Sequence, residues 1–323
     1  MSEPYVRPDV RGFLDFLNNL PGPRMHQLDA ATARAQYVAM KDVADLPVGE
    51  LGTMIDFSIP GPAGDLPARL FDPRQRREPG SVVVFFHGGG FVIGNIDTHA
   101  GVCAEIARQL DRPVISVDYR LAPEHCWPAA PDDCEAAARW VASSPAVLGR
   151  AVTGLILAGD SAGGNLAIVT ALALRDAPAA APVVAQFPIY PVVDSTRVYP
   201  SFEAFSEGYL LTKDSMAYFN DAYRADIGHQ RGSPLLADLA ALPPAVVLTA
   251  SLDPLRDQGR AYAGALIAAG VPTVYREAVG NIHGFVTIRK AIPSGVGDLA
   301  GALAALKLVL VEAEGQAVMR QAA

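Results

Sequence analysis

The chain has 323 residues, half of them apolar, which is enough for a sizeable hydrophobic core and for about two domains or one large α/β fold. Its net charge is −8 and it contains no run of basic residues, so nucleic acids and anionic membrane surfaces are poor candidates for partners. The mild acidity mainly supports solubility.

The N-terminus and the cysteines favour a cytoplasmic protein. The first residues, MSEPYVRPDVRGFLDF, contain no apolar stretch and no small-residue cleavage pattern, so we expect no signal peptide. The longest apolar run with a helical pattern, Gly301–Val311, is interrupted by Lys307, and we expect it to be too short to span a bilayer. Cys103, Cys126 and Cys134 lack CxxC spacing and are odd in number, which favours free thiols over a disulfide.

Short apolar runs alternate with helical patterns along most of the chain, and Ala177–Pro182 is predicted to link two of these elements. The predicted strands are Val82–Phe86, Pro113–Val117, Leu155–Ala158, Ala185–Ile189, Ala245–Thr249 and Thr273–Glu277. The predicted helices between and after them are Val102–Leu110, Asp132–Ser143, Asn165–Arg175, Gln258–Ala269 and Asp298–Glu314. This alternation predicts an α/β fold with a mostly parallel sheet and helices on both faces.

Two segments interrupt the alternation. Residues 1–48 are helical in pattern, over Val10–Leu20 and Asp29–Asp45, and residues 200–228 are rich in aromatic side chains. They could cover an edge of the sheet or form a cap above it. Because ligands of such sheets bind at the carboxyl ends of the strands, we favour the cap. The chain then divides into an N-terminal cap segment, 1–48, and a catalytic domain, 49–323, which carries a cap insert at about 200–228.

Two glycine clusters follow predicted strands. The first is HGGG, which ends at Gly90, and the second runs from Gly159 to Gly164. Neither fits a phosphate-binding loop: Ile93 stands where G-x-G-x-x-G needs its last glycine, and Asn165 stands where a P-loop needs lysine. Glycine is costly in ordered structure, so three in a row indicate backbone that approaches a ligand closely or exposes its N–H groups.

The second cluster contains a candidate nucleophile. The pentapeptide GDSAG places Ser161 between a predicted strand and a predicted helix, which is the context of a nucleophile elbow. Side chains at Gly159 and Gly163 would collide with neighbouring backbone in such a turn. The amino end of the following helix favours negative charge beside the serine. Taken alone, the pentapeptide is also compatible with an ordinary helix N-cap.

A serine nucleophile needs a base and an acid, and in this kind of fold both follow it in the chain. His229 lies in a polar loop and is expected to be solvated, whereas His283 follows a predicted strand and is flanked by glycines. We therefore predict His283 as the base. Asp253 and Asp257 both follow the strand before it. We favour Asp253, because Asp257 falls in a first helical turn, where an acidic residue also serves the helix dipole.

The HGGG cluster then has a role in acyl transfer. Negative charge develops on the carbonyl oxygen of the substrate, and preorganised backbone N–H groups stabilise it. We predict that the N–H groups of Gly89, Gly90 and Ala162 form this oxyanion hole. Gly88 would permit the turn, and we expect His87 to hold the loop rather than to act as a second base.

Together these residues resemble the hormone-sensitive-lipase-like branch of the α/β-hydrolases, the bacterial family IV esterases. The resemblance covers nearly the whole chain, and its motifs occur in the family's order: HGGGF (87–91), DYRLAPEH (118–125), GDSAGG (159–164), DPLRD (253–257) and HGF (283–285). It implies an α/β-hydrolase fold with a helical cap and hydrolysis of short- to medium-chain carboxylic esters. It also implies a Ser161–Asp253–His283 triad that needs no cofactor and no metal.

The resemblance leaves several questions open. It is compatible with a homodimer, since members of the family are often dimers, and with amide or lactone substrates, which the same triad cleaves. The natural ester is not specified. Plant hormone receptors of this fold lack the catalytic histidine, whereas His283 is present here, which favours an enzyme over a non-catalytic binding protein. Tyr209, Tyr218 and Phe219 of the insert are available to close a pocket for short acyl chains.

Overall fold

The computed structural model describes residues 3–321 of the chain, with side chains for residues 3–315. Within these residues the centre of the fold is an eight-stranded sheet. Its strands are β1 (Thr53–Gly61), β2 (Gly64–Asp72), β3 (Gly80–Phe86), β4 (Val114–Val117), β5 (Val152–Asp160), β6 (Val183–Ile189), β7 (Ala245–Leu252) and β8 (Thr273–Ile282). The spatial order is β1-β2-β4-β3-β5-β6-β7-β8. Strands β3 to β8 are parallel, so the predicted, mostly parallel sheet is confirmed.

Helices cover both faces of the sheet. They are α1 (Pro8–Asn19), α2 (Ala30–Ala44), α3 (Ala100–Leu110), α4 (Ala129–Ala142), α5 (Ala162–Asp176), α6 (Pro200–Phe205), α7 (Lys213–Tyr223), α8 (Arg256–Ala268) and α9 (Ser294–Gln321). Helices α4, α5 and α8 pack on one face, and α3 and α9 pack on the other. Every predicted helix is confirmed, although several ends differ, and the predicted linker joins α5 to β6.

The central strands were predictable because they are apolar along their whole length. All residues of β3 after Gly80 are buried, as are the last seven of β5, Gly154–Asp160. A parallel strand with helices on both sides buries both of its faces, so its sequence is a continuous apolar run. The carboxyl ends of β3 and β5 lie side by side, with Phe86 paired to Gly159. This pairing places the two glycine clusters next to each other.

Sequence analysis missed the hairpin formed by β1 and β2. The two strands are antiparallel, and Gly61 pairs with Gly64 at the turn. Most of β1 is exposed or half-buried, and Pro67 lies within β2. Proline within a short run argues against a strand, since it cannot donate a ladder hydrogen bond, and a half-exposed strand lacks a continuous apolar run. The hairpin forms because β2 pairs with β4 and thereby extends the sheet.

Helix α9 is longer than its sequence pattern indicated. Over Ser294–Gly315 it is apolar enough, with a mean hydropathy of 1.6, and long enough to cross a membrane. The prediction that this helix is too short to span a bilayer is therefore wrong. In the fold, Leu299, Leu303 and Leu306 are buried against the sheet, and 33% of this apolar stretch is buried inside the protein.

The two segments outside the alternation meet each other. Val10 and Leu14 of α1 share an apolar cluster with Phe205 of α6 and with Leu252 and Ile282, which end β7 and β8. Helix α7 packs against the 3₁₀ turn that precedes α2. The N-terminal helices and the insert therefore both lie at the end of the sheet where the strands terminate.

Candidate active site

The candidate nucleophile occupies a strained turn. Ser161 joins β5 to α5 with φ 54° and ψ −115°, a conformation that is costly for a residue with a side chain. A Cβ atom at Gly159 or Gly163 would collide with the backbone carbonyl of Phe86, so both positions require glycine. Ala162 is the first residue of the helix. The N–H of Ser161 donates to the carbonyl of Ile189 at 2.8 Å, and this hydrogen bond stabilises the strained conformation.

A chain of two hydrogen bonds connects the predicted triad. The hydroxyl Oγ of Ser161 lies 2.9 Å from Nε2 of His283. The other ring nitrogen, Nδ1, lies 2.8 Å from Oδ2 of Asp253. The second oxygen of Asp253 accepts from the backbone N–H of Leu255 at 2.7 Å, which fixes the carboxylate. All three triad side chains are at least nine-tenths buried. The structure thus brings together residues that lie 122 positions apart in the chain.

The competing acid and base lie elsewhere. Asp257 is in the first turn of α8, where its carboxylate accepts from the backbone N–H of Ser201 at 2.9 Å and from Arg256. Burial alone would raise the pKa of Asp257, but Arg256 and the Ser201 N–H hold it below its usual value. His229 is exposed and packs edge-on against Trp127. Asp257 therefore ties the cap insert to α8, and His229 is solvated as predicted.

The HGGG loop offers two backbone N–H groups next to the serine. Gly89 and Gly90 have φ values of 117° and 60°, which favour glycine. Among the residues that the structure describes, neither amide has a hydrogen-bond partner. The N–H of Ala162 is also free of an intrahelical partner, since it belongs to the first residue of α5. Gly89 and Gly90 line the cavity together with Ser161, and Ala162 follows Ser161 directly in the chain, so the three N–H groups are candidates for an oxyanion hole.

His87, the first residue of the loop, is a structural residue in this fold. Its ring is buried and stacks on Tyr119, with centroids 4.3 Å apart, and Nδ1 lies 2.7 Å from the carbonyl of Gly88. Burial, together with the neighbouring His99, lowers the pKa of His87 to about 3. A histidine that stays neutral and sealed from solvent cannot exchange protons with a substrate.

The triad opens into a cavity of about 1010 Å³. Its walls come from both cap segments and from the strand ends, and they include Phe13, Met40, Leu210, Phe219 and Ile288. The ring of Phe219 lies directly on Gly90, so closely that a Cβ atom there would collide with it. Of the other insert aromatics, Tyr218 packs beside Phe219, and Tyr209 packs edge-on against Phe205.

Two features of the site were not expected from the sequence. Asp160, which precedes the nucleophile, has its carboxylate beneath the HGGG loop, 3.1 Å from Nε2 of the fully buried His99. Asp160 belongs to the GDSAG motif, in which only the serine was assigned a role, and His99 belongs to no motif.

In the described part of the chain, no group of three or more His, Cys, Asp and Glu side chains could hold a metal ion.

Comparisons with known proteins agree with this geometry. A family model described as the α/β hydrolase fold matches residues 83–287. The esterase LipI of Mycobacterium tuberculosis is 39% identical over 280 residues, which cover 84% of this chain and 87% of that protein. The ethyl acetate hydrolase of Pseudomonas putida is 36% identical over 301 residues, 89% of this chain and 94% of that protein.

The fold has solved counterparts as well. An α/β hydrolase enzyme from the metagenome of Lake Arreo has 39% sequence identity and a TM-score of 0.89, covering 94% of this chain and 98% of its own. Agreement at this level extends over most of the fold, since only a small part of either chain is left out.

Proposed function

Since the chain belongs to the α/β-hydrolase family, in the branch of the bacterial family IV esterases, and is a carboxylesterase, we propose that it cleaves short- to medium-chain esters through Ser161, His283 and Asp253. The observation that carries this proposal is the hydrogen-bond chain from Asp253 through His283 to Ser161, which ends in the cavity. An alcohol is a weak nucleophile without such a base.

The first half of the reaction forms an acyl-enzyme. Oγ of Ser161 attacks the ester carbonyl carbon while Nε2 of His283 takes its proton. Asp253, hydrogen-bonded to Nδ1, holds the ring in the required tautomer and stabilises the imidazolium. The carbonyl oxygen becomes an oxyanion, which receives hydrogen bonds from the N–H groups of Gly89, Gly90 and Ala162. The C–O bond to the alcohol then breaks, and His283 gives its proton to the departing alkoxide oxygen.

The second half releases the acid. A water molecule donates its proton to His283 and attacks the acyl carbon, so a second oxyanion forms in the same hole. The bond to Oγ of Ser161 breaks, and that oxygen recovers its proton from His283. The enzyme returns to its starting state, so no cofactor is consumed.

The preference for short and medium acyl chains is supported by the cap. Its helices reduce the space above Ser161 to a cavity of about 1010 Å³, which is near the upper end of the range for small-molecule sites, roughly 300–1,000 Å³. The relative from Pseudomonas putida is called an ethyl acetate hydrolase, a name that specifies an acetyl substrate. On the same grounds we propose that residues 1–48 and the insert at about 200–228 act together as the cap of a catalytic domain, 49–323.

A cytoplasmic location is part of the proposal. It is supported by the free thiols of Cys103, Cys126 and Cys134, since such thiols persist in a reducing compartment. Substrates are accordingly expected to be small esters dissolved in water rather than emulsified lipid.

The test is a rate profile over p-nitrophenyl esters from acetate to palmitate, combined with labelling by a fluorophosphonate. We expect the highest kcat/KM between acyl chains of roughly two and eight carbons, with the label located by mass spectrometry on the peptide that contains Ser161. Fastest cleavage of long chains, with activation at an oil–water interface, would show a lipase instead. A label on another serine would refute the assignment of the nucleophile.

A further inference from the structure

A charged pair that the proposed mechanism does not use lies beneath the oxyanion loop. Oδ1 of Asp160 is 3.1 Å from Nε2 of His99, and it accepts the N–H of Gly88 at 2.8 Å. The side chain of His99 is fully buried and that of Asp160 nearly so. Removing a carboxylate from water carries a high free-energy cost unless it is paired, so a pair at this position calls for a reason.

The pair holds one peptide unit from one side, and a tyrosine holds it from the other. The N–H of Gly88 donates to Asp160, while the carbonyl of His87, at the other end of the same peptide bond, accepts from the hydroxyl of Tyr119 at 2.6 Å. A Cβ atom on Gly88 would meet the carboxylate of Asp160, so the loop lies directly on it. Because a peptide unit is planar, these two hydrogen bonds fix its orientation and the direction in which Gly89 follows.

Asp160 also connects both parts of the oxyanion hole. It precedes Ser161 in the elbow, and its side chain reaches across from the end of β5 to the loop that follows β3. The N–H groups of Gly89 and Gly90 belong to that loop, whereas the N–H of Ala162 belongs to the elbow. A single side chain therefore sets the distance between donors that come from two different segments.

His99 supplies the charge that such a carboxylate needs. The hydroxyl of Thr98 uses its only proton to donate to the carbonyl of Asn95 at 2.8 Å. Its oxygen, Oγ1, therefore accepts a hydrogen bond from Nδ1 of His99, at a distance of 2.9 Å. Nε2 lies 3.1 Å from Oδ1 of Asp160, and the Gly88 N–H, which donates to Asp160 at 2.8 Å, also lies 3.3 Å from this nitrogen. A proton on Nε2 would complete an imidazolium that faces the carboxylate. Burial alone would raise the pKa of Asp160, but the charge of His99 and the hydrogen bonds from His99 and Gly88 hold it below its usual value.

The net charge of the Asp160–His99 pair matters because the oxyanion of the transition state forms above it. A lone carboxylate beneath the loop would repel the oxyanion of the transition state, and in a buried site that repulsion is only weakly screened. Paired with an imidazolium, the same carboxylate can orient Gly88 without opposing the reaction.

We propose that Asp160 and His99 are positioning residues of the oxyanion hole: Asp160 orients the Gly88 peptide, and His99 neutralises the carboxylate that does so. The inference rests on the proposed function, since it assumes that Gly89, Gly90 and Ala162 bind the oxyanion. It predicts an effect on the transition state and little effect on the binding of substrate, because the hole interacts more strongly with the oxyanion than with the ester carbonyl.

The first experiment compares Asp160→Asn with a matched control, Asp133→Asn. Asp133 is also fully buried and paired, with Arg120, but it lies in α4, away from the cavity. For Asp160→Asn we expect kcat to fall about 10- to 100-fold, less than the loss of a whole oxyanion donor, with KM changed by less than about 3-fold. The inhibition constant of a trifluoromethyl ketone, whose serine adduct places an oxyanion in the hole, should rise by the same factor.

The control separates positioning from stability. Asp133→Asn should lower the melting temperature yet leave kcat and the ketone affinity within about 2-fold of the parent. If both variants lose the same kcat, or if Asp160→Asn raises KM alone, the pair has no positioning role. If the parent chain does not cleave activated esters at all, the proposed function fails, and that outcome is distinct from the other two.

A second comparison tests the charge that His99 supplies, with circular dichroism used to check that each variant is folded. His99→Gln leaves Asp160 buried without its counter-charge and should lower kcat about 100-fold. Adding Asp160→Asn removes the unpaired charge, so the double variant should recover at least about 5-fold of kcat over His99→Gln alone. A double variant that is slower than His99→Gln would show two additive structural losses and overturn the role given to His99.

Discussion

The strand-end loops and the cap face the same cavity but are built differently. Ser161, His283 and Asp253 are almost completely buried and joined by hydrogen bonds of 2.8–2.9 Å. Besides the buried apolar cluster of Val10, Leu14 and Phe205, the cap segments touch each other through longer polar contacts. The amide of Asn18 donates to the carbonyl of Gly208 at 3.1 Å, and His26 lies 3.7 Å from Asp214.

The apolar surfaces of the two regions differ as well. Phe16 of α1 and Val43 of α2 are 61% and 71% exposed, whereas Ser161, the most exposed residue of the triad, is 9% exposed. Segments with few buried contacts open at low free-energy cost. The difference indicates that the chemistry depends on fixed backbone, while the choice of substrate depends on the more adaptable region. Mutations on the two sides should therefore differ in kind, turnover on one side and selectivity on the other.

The largest effect is expected at the nucleophile. Ser161→Ala removes the attacking oxygen but keeps the positive φ of the elbow, so the fold should survive. We expect kcat to fall about 10⁶-fold, as in a comparable triad, and fluorophosphonate labelling to disappear. Circular dichroism and melting temperature should stay close to the parent. Turnover retained within about 100-fold would mean that the strained serine is not the nucleophile, and the comparison of the two regions would lose its basis.

The next effect separates the two aspartates of the DPLRD motif. Asp253→Asn should reduce kcat about 10⁴-fold, because an amide favours the wrong tautomer of His283. Asp257→Asn should change kcat less than about 3-fold, since its carboxylate binds Ser201 and Arg256 rather than the triad. Both are measured by single-turnover kinetics. The reverse order, with both variants folded, would move the acid to Asp257.

Much of the catalytic region was predictable because its constraints are local. A serine in a strained turn demands glycines at fixed spacing, and parallel strands buried on both faces give continuous apolar runs. The pair of Asp160 and His99 could not be predicted in this way. It exists because Phe86 pairs with Gly159 across the sheet, a register that no local pattern encodes. Asp160 and His99 belong to segments that meet only once β3 and β5 are aligned.

Less of the cap than of the catalytic region could be predicted from local patterns. Its helices were predicted from their periodicity, yet their arrangement depends on tertiary packing. Phe219 lies on Gly90, Tyr209 packs on Phe205, and nothing in the aromatic-rich sequence distinguishes these two roles. The β1–β2 hairpin was missed for a related reason: its prolines contradict a strand locally, and only the pairing of β2 with β4 outweighs them.

A smaller effect, of a different kind, is expected from the cap residue nearest the oxyanion loop. Phe219→Ala removes the ring that covers Gly90 and enlarges the cavity at that point. We expect the ratio of kcat/KM for a longer acyl chain to that for acetate to rise about 10-fold, because a pocket discriminates by about 1–3 kcal/mol per methylene. The kcat/KM for the acetate ester itself should change by less than about 10-fold. As a control, Tyr209→Ala alters an aromatic of the same segment that packs on Phe205 rather than on the loop.

An unchanged acyl profile in Phe219→Ala, together with a large fall in acetate turnover, would place Phe219 with the catalytic residues. The distinction between a rigid catalytic region and an adaptable cap that selects the substrate would then be wrong for Phe219, the cap residue that contacts the oxyanion loop.

The smallest effect concerns how the two regions are joined. Asp257 of α8 binds the backbone of Ser201 in the insert, and its pKa is held below the usual value, mainly by Arg256 against the effect of burial. A carboxylate whose pKa is lower in the folded state adds stability above its unfolded pKa, about 3.9, and that contribution is lost as the pH falls through the lower, folded value. Asp257→Asn should therefore reduce the free energy of unfolding by about 0.5–1 kcal/mol at pH 7, because solvent screens this partly exposed group, and by progressively less below about pH 4. Urea unfolding at pH 7 and pH 3 measures both values. A difference that stays constant over this range would show that the hydrogen bond, and not the charge of Asp257, anchors the insert to α8.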